Sequence, residues 1–251
     1  MQAQGTASFF RRVPVQAAAL AALLTVTLAS AALAPSSAGA KVLPPGSHPY
    51  GQTYAQWSAR WWQWNLSLPL TSPGATCSPN HPSIDSTCFD VTEGQQDPVW
   101  FLSSPLPGTF ERTCTVPDNV SLFFPSLASE WSDLEGIPVG DQLALALYFG
   151  DHAVNLFCTI DGVPVQHLSA FRVTSPQFGF TAPSPWIFGA TGGTGTAVSD
   201  GYFFMLAPLS AGGHTLHYGG RFLFTLAADG FDLDLPLDMT YHLTVTEDDE
   251  Q

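Results

Sequence analysis

The sequence predicts a mainly β fold, an antiparallel β-sandwich or jelly-roll-like domain with a tryptophan-rich N-terminal helix, on three observations. Short runs of β-branched and aromatic residues recur from Val99 to Thr246, each bounded by Gly, Pro, Ser or Asp, with little helical periodicity between them. Two Asp-Gly pairs, Asp161-Gly162 and Asp229-Gly230, stand between such runs and supply hairpin turns. The segment after Thr53 carries aromatic rings at three- and four-residue spacing, the mark of a helix that docks by one face. Strands so spaced indicate a sandwich more than an α/β sheet.

The first forty residues read as a cleavable export signal. Arg11 and Arg12 precede an uncharged apolar run from Val13 to about Leu28, and small-residue cleavage patterns follow at Ala32-Leu33-Ala34 and Ala38-Gly39-Ala40. Pro35 directly follows the first candidate bond and disfavours it, so cleavage is expected before Lys41. The apolar run is shorter than the roughly 18 to 20 strongly apolar residues that a spanning helix needs. Residues 41–251 then form one domain, secreted or periplasmic, free of the membrane once the signal is removed.

After a Pro- and Gly-rich lead-in, Thr53 and Gln56 have the spacing of a capping box. Tyr54, Trp57, Trp61 and Trp64 fall on one stripe, expected to be the face that packs on a sheet, and the helix should end before Pro69. Strands are predicted at Val99 to Leu102, Arg112 to Val116 and Leu122 to Phe124. From Asp141 to Gly150 the pattern fits a second, short helix capped by Asp141 and stopped by Gly150, although its Leu-Ala alternation equally fits a strand. A hairpin follows from Val154 to Val165. Further strands are expected at Phe171 to Thr174, Phe178 to Thr181, Val198 to Leu206, Thr215 to Tyr218, Phe222 to Leu226, Phe231 to Leu235 and Tyr241 to Thr246. Gly189 to Gly195 reads as a loop, and Glu247 to Glu250 as a solvated acidic tail.

Charge excludes one class of partner. The chain has 7 basic and 21 acidic side chains, a formal charge of −14, and the signal removes two of the basic ones. Arg60, Arg112, Arg172 and Arg221 are scattered, so nucleic acid, which needs clustered cations, is not an expected partner. Four cysteines in an exported chain argue for disulfides. Three pairings are formally possible; the preferred one joins Cys77 to Cys88 and Cys114 to Cys158.

Several phrases together resemble a family of exported bacterial proteins of unassigned activity. They are Tyr50-Gly51-Gln52-Thr53-Tyr54 leading into Trp57, Trp61, Trp62 and Trp64, Pro98-Val99-Trp100-Phe101-Leu102, Arg112-Thr113-Cys114-Thr115-Val116-Pro117, Leu122-Phe123-Phe124-Pro125, Asp161 to Val165 and Asp200-Gly201-Tyr202. The series closes with Leu209 to Gly219 and Thr240 to Val245, so the likeness covers nearly all of the chain after the signal. It implies a β-rich secreted domain and a bacterial source, and transfers no catalytic residue.

Four constellations carry possible chemistry. Glu130, Asp133 and Glu135 surround Trp131, a composition compatible with an acid–base pair of a secreted hydrolase of glycosidase type, with His152 as a possible assistant; an ordinary capped turn explains it as well. His217 and His242 should share an outward face, whereas His214 and His217, three apart on one strand, should not. Asp232 and Asp234, near Asp229 and Asp238, form an oxygen-rich group for which calcium is possible, though no EF-hand pattern is present and no cofactor is predicted. Trp100, Trp131 and Trp186 are the aromatic candidates for ligand stacking. No Gly-x-Ser-x-Gly elbow, P-loop or dinucleotide signature occurs. The expectation is therefore a non-enzymatic binding module for an extracellular polymer or cell-surface component, with a secreted hydrolase or a structural envelope protein as alternatives.

Overall fold

The computed structural model of the protein describes residues 40–70, 80–84, 91–96 and 98–247. The signal reading, Asp85, Cys77 and Cys88 lie outside them.

Helix α1 spans Tyr54–Ser67 and begins as its local chemistry requires. Thr53 accepts from the Gln56 backbone N–H at 3.1 Å, and the Gln56 side chain accepts from the Thr53 N–H at 2.9 Å. Tyr54, Trp57, Trp61 and Trp64 are all buried, as the stripe predicted.

The strands are β1 (Val99–Phe101), β2 (Gly108–Pro117), β3 (Ser121–Ser132), β4 (Ala153–Ile160), β5 (Val163–Pro164), β6 (Arg172–Thr174), β7 (Phe178–Ala182), β8 (Gly193–Leu206), β9 (Gly212–Phe224) and β10 (Leu233–Thr246). They form two five-stranded sheets. One runs β1-β3-β8-β6, with β7 also on β8; the other runs β2-β10-β9-β4-β5. Pairing is antiparallel except at β1–β3 and β2–β10, which are parallel. Strands predicted as separate pieces merge: Thr215 to Tyr218 and Phe222 to Leu226 into β9, and Phe231 to Leu235 and Tyr241 to Thr246 into β10. Pro236 does not break β10; it sits where only β9 pairs the strand, since β2 begins to pair at Leu237. The predicted Gly189–Gly195 loop is shorter than expected, since β8 starts at Gly193. Asp161 (φ 51°) and Gly162 (φ 76°) form the hairpin turn between β4 and β5. Asp229-Gly230 closes a single helical turn, α3 (Leu226–Asp229), rather than a two-residue turn.

Aromatic contacts fix the layering. Phe123 and Phe203 stack at 5.4 Å and meet Trp57 and Trp61 of α1, while Phe124, next in sequence, meets Tyr218 of β9 at 4.7 Å. The first sheet is thus sandwiched between α1 and the second sheet, which is why β3 reads as a continuous apolar run and not as an alternation. At Ser126, where the β3–β8 register shifts, the two sheets touch: the Ser126 hydroxyl donates to the Gly219 carbonyl at 2.8 Å.

Helix α2 spans Val139–Asp151, so the ambiguous segment is a helix and not a strand. Pro138, not Asp141, is its cap residue, and it runs past Gly150. It docks by Gln142, Ala146 and Gly150, four apart, and leaves Leu143 and Leu147 exposed. Small residues let the helix lie close to the staple that fixes it, in which Arg172 donates to Asp200 at 2.7 Å, to Asp151 at 2.7 Å and to the Leu147 carbonyl at 3.1 Å.

The Cys114–Cys158 disulfide is not formed; both thiols are buried and free. Cys114 lies on β2 and Cys158 on β4, with β10 and β9 between them. Three strand spacings amount to roughly 14 Å, about twice the Cα separation a disulfide can bridge. Burial pushes both thiols up to about 12, which leaves them unreactive at neutral pH. No helix among the described residues is long and apolar enough to cross a membrane.

Candidate functional site

Strand β1 is three residues long and covers only Ser121 to Phe123 of β3. Beyond that point β3 is paired on one side by β8, and among the described residues nothing pairs its other side. A cavity of ≈ 410 Å³ follows this open edge, lined by every residue from Pro125 to Trp131. Trp61, Trp62 and Asn65 of α1 wall it on one side, and Phe222, Leu235 and Leu237 of the second sheet on the other. Leu106 and Phe188, 39 % and 49 % exposed, mark where it meets solvent. Pro125 and the register shift beside it are common features of strand edges, where they discourage uncontrolled pairing.

At the far end of the edge, Ser132 starts a 3-10 turn, Asp133–Glu135. Its capping box folds Glu135 back: the Ser132 hydroxyl and N–H donate to one Glu135 oxygen at 2.7 and 3.0 Å. That turn brings the Glu135 carboxyl beside Glu130. Glu130 is only 6 % exposed, and neither of its oxygens receives a hydrogen bond from a protein donor. Burial, then the neighbouring Glu135 carboxyl, holds Glu130 well above the ordinary carboxylate range. Burial raises Glu135 too, against the pull of Ser132. Two more polar groups in the cavity wall are orphaned, the indole N–H groups of Trp62 and Trp131. A buried polar group without a partner costs about 1–3 kcal/mol, and four such atoms cluster around one cavity.

A stability prediction follows. Glu130 binds its proton more tightly folded than unfolded, so its contribution is full below about pH 4.3 and declines as pH rises towards its elevated folded value. Glu130→Gln should therefore be more stable than the parent at pH 8, by about 1–3 kcal/mol, and no more stable at pH 4. Urea unfolding at both values checks this; equal differences at the two would refute it.

Other predicted residues are dispersed. Asp133 is engaged elsewhere, accepting from the Thr196 N–H at 2.8 Å and its hydroxyl at 3.1 Å, while its charge adds to the upward push on Glu130. His152 does not line the cavity; it stacks on Phe224 and pairs with Asp229 at 2.8 Å. Trp100 and Trp186 are buried and offer no open ring face, whereas Trp131 is half-buried in the cavity wall. His217 pairs with Asp238 and His242 with Glu111, each at 2.8 Å. Asp234 pairs with Arg221, and Asp232 accepts from the Leu226 N–H. Among the described residues no three His, Cys, Asp or Glu side chains converge as metal ligands. The open β3 edge and its walls, Trp62, Asn65, Phe222, Leu235 and Leu237, were not predicted. The one trace in the sequence is the interruption of an apolar strand by Ser126, Ser129 and Glu130.

Comparison with protein-family models, with curated proteins and with solved structures gave no match.

Proposed function

We propose that this protein is an exported binding protein that takes up an extended peptide segment by strand addition along the open edge of β3. The observation that carries this reading is the buried, unpaired edge running the length of the cavity. Backbone N–H and C=O groups removed from water need partners, and an extended chain supplies them at the right repeat. The walls suit such a guest. Side chains of an added strand alternate between the two faces of the sheet, and here both faces are apolar, Trp61 and Trp62 on one and Phe222, Leu235 and Leu237 on the other. A flat polymer stacked on exposed rings fits less well, since Trp100 and Trp186 are buried.

Peptides with alternate backbone nitrogens methylated provide the test, because methylation removes donors and leaves side chains intact. Binding measured by tryptophan fluorescence should fall at least tenfold for the register that faces β3 and stay unchanged for the other. Equal binding of both registers would overturn strand addition. Phe188→Asp at the mouth should weaken uptake about tenfold while changing stability by no more than about 0.5 kcal/mol, as exposed sites do.

A second reading, a hydrolase, rests on the Glu130–Glu135 contact. Two neighbouring carboxyls can act as acid and base. Adjoining carboxyls are the acid–base arrangement of aspartic proteases, whereas glycosidases set theirs roughly 5 Å or more apart, so a peptide suits the pair better than a sugar. Cleavage products in the same incubations, absent with Glu130→Gln, would mark this activity.

A further inference from the structure

We infer that the carboxyl pair at the end of the β3 edge receives the free α-ammonium group of the bound peptide. The inference rests on the strand-addition reading and names the end group that the site selects.

Three acids elsewhere in the fold have donors supplied by the protein. Asp200 is held by Arg172 and by the Thr174 hydroxyl at 2.6 Å. Asp229 meets His152 and the Tyr148 hydroxyl, both at 2.8 Å. Asp161 meets His214 at 2.8 Å and the Thr215 N–H. Among the described residues, neither Glu130 oxygen has a hydrogen-bond partner and no Lys or Arg lines the cavity. The folded arginines are occupied elsewhere: Arg112 donates to the carbonyls of Pro82, Ser103 and Ile84, Arg221 to Asp234, and Arg60 lies over the Trp57 ring. A cation for the pair would come from outside the described fold, and a chain of formal charge −14 attracts cations.

The surroundings favour an organic ammonium over a metal ion. Two carboxylates are too few for a calcium site, whereas Trp131, Trp62 and Phe149 line the same cavity, and aromatic rings favour a desolvated organic cation. An ammonium with N–H donors also serves the Glu130 oxygens, which a quaternary ammonium does not. The orphaned Trp62 N–H, on a side chain 7 % exposed, is available to an acceptor of the same guest, such as its first carbonyl. Direction agrees as well. Glu130 lies near the C-terminal end of the open edge, and a strand added antiparallel to β3, the more stable sense, begins there.

Two random pentapeptide amide libraries lacking Lys, Arg and His, one with free and one with acetylated amino termini, test the inference by equilibrium dialysis and mass spectrometry at pH 7. The wild-type protein should retain the free library at least tenfold over the acetylated one. Glu130→Gln, and separately Glu135→Gln, should bring the ratio to within twofold of unity while circular dichroism reports an unchanged fold. Equal retention of both libraries by the wild-type protein would overturn the ammonium assignment and leave strand addition standing. Retention of neither would overturn both. A ratio unaffected by either substitution would place the amine elsewhere and overturn the assignment.

Discussion

Gly219→Ala is expected to prevent the protein from folding normally, or to cost about 3–5 kcal/mol if it folds. A Cβ at this position would stand 2.0 Å from the Leu237 carbonyl oxygen and 2.8 Å from its carbon, both backbone atoms of β10. A flexible side chain can swing away from such a clash; a strand paired along its length cannot. β10 is hydrogen-bonded on both sides, by β9 and β2, so moving Leu237 disturbs two ladders at once. Gly219 itself anchors the contact between the layers, since its carbonyl accepts from the Ser126 hydroxyl. Displacing it should therefore also distort β3 beside the cavity. Gly213, on the same strand, is the control: nothing lies within 4 Å of its added Cβ, and Gly213→Ala should change stability by no more than about 0.5 kcal/mol. Thermal and urea unfolding of the two variants decide the matter, and equal effects would show that Leu237 can relax.

Acidification should destabilise the protein between pH 6.5 and 4 through His81. The ring is fully buried and its tautomer is set by its partners: the Ser83 N–H donates to Nδ1 at 3.1 Å, while Nε2 donates to the Asn65 carbonyl at 2.8 Å. A second proton on Nδ1 would face a donor. Burial, and to a smaller degree the charge of Arg112, lowers this histidine to about 4. Between the ordinary value of 6.5 and that value the unfolded chain binds a proton that the folded chain does not. The stabilisation is complete above pH 6.5 and is lost as pH falls through the window, reaching about 3 kcal/mol near pH 4. Glu130 and Glu135 act in the opposite sense, so the measurement is the difference between wild type and His81→Gln, which keeps a donor for Asn65. Urea midpoints at pH 7, 5.5 and 4 should converge as pH falls. Parallel pH profiles would show that His81 does not titrate as its surroundings require. Ser83 and Ile84 line the cavity, so peptide uptake should weaken over the same range.

Legibility in the sequence followed the range of the interactions. Helix α1 was readable because Thr53, Gln56 and the ring stripe act within a few residues of one another. The Asp161-Gly162 turn was readable for the same reason, since positive φ at two adjacent residues is a local demand. The docking face of α2 was not legible, because Gln142, Ala146 and Gly150 pack inward while Leu143 and Leu147 stay exposed, and the Arg172–Asp200 staple beside it comes from other strands. The Cys114–Cys158 pairing failed because an argument from compartment and even count contains no distance. The carboxylates near Trp131 were visible as a group, but their contact depends on the Ser132 capping turn, and their burial depends on α1 and the second sheet.

By itself the sequence determined a strand-rich chain, the tryptophan face of α1 and the hairpin turn, because propensity, capping and turn chemistry are written in adjacent residues. Only the tertiary structure decided which strands pair, that β1 stops short of the polar end of β3, and that Glu130 is left against Glu135 without a cation. Strand pairing joins residues far apart in the chain, so whether an edge stays open is set by the partner that fails to reach it.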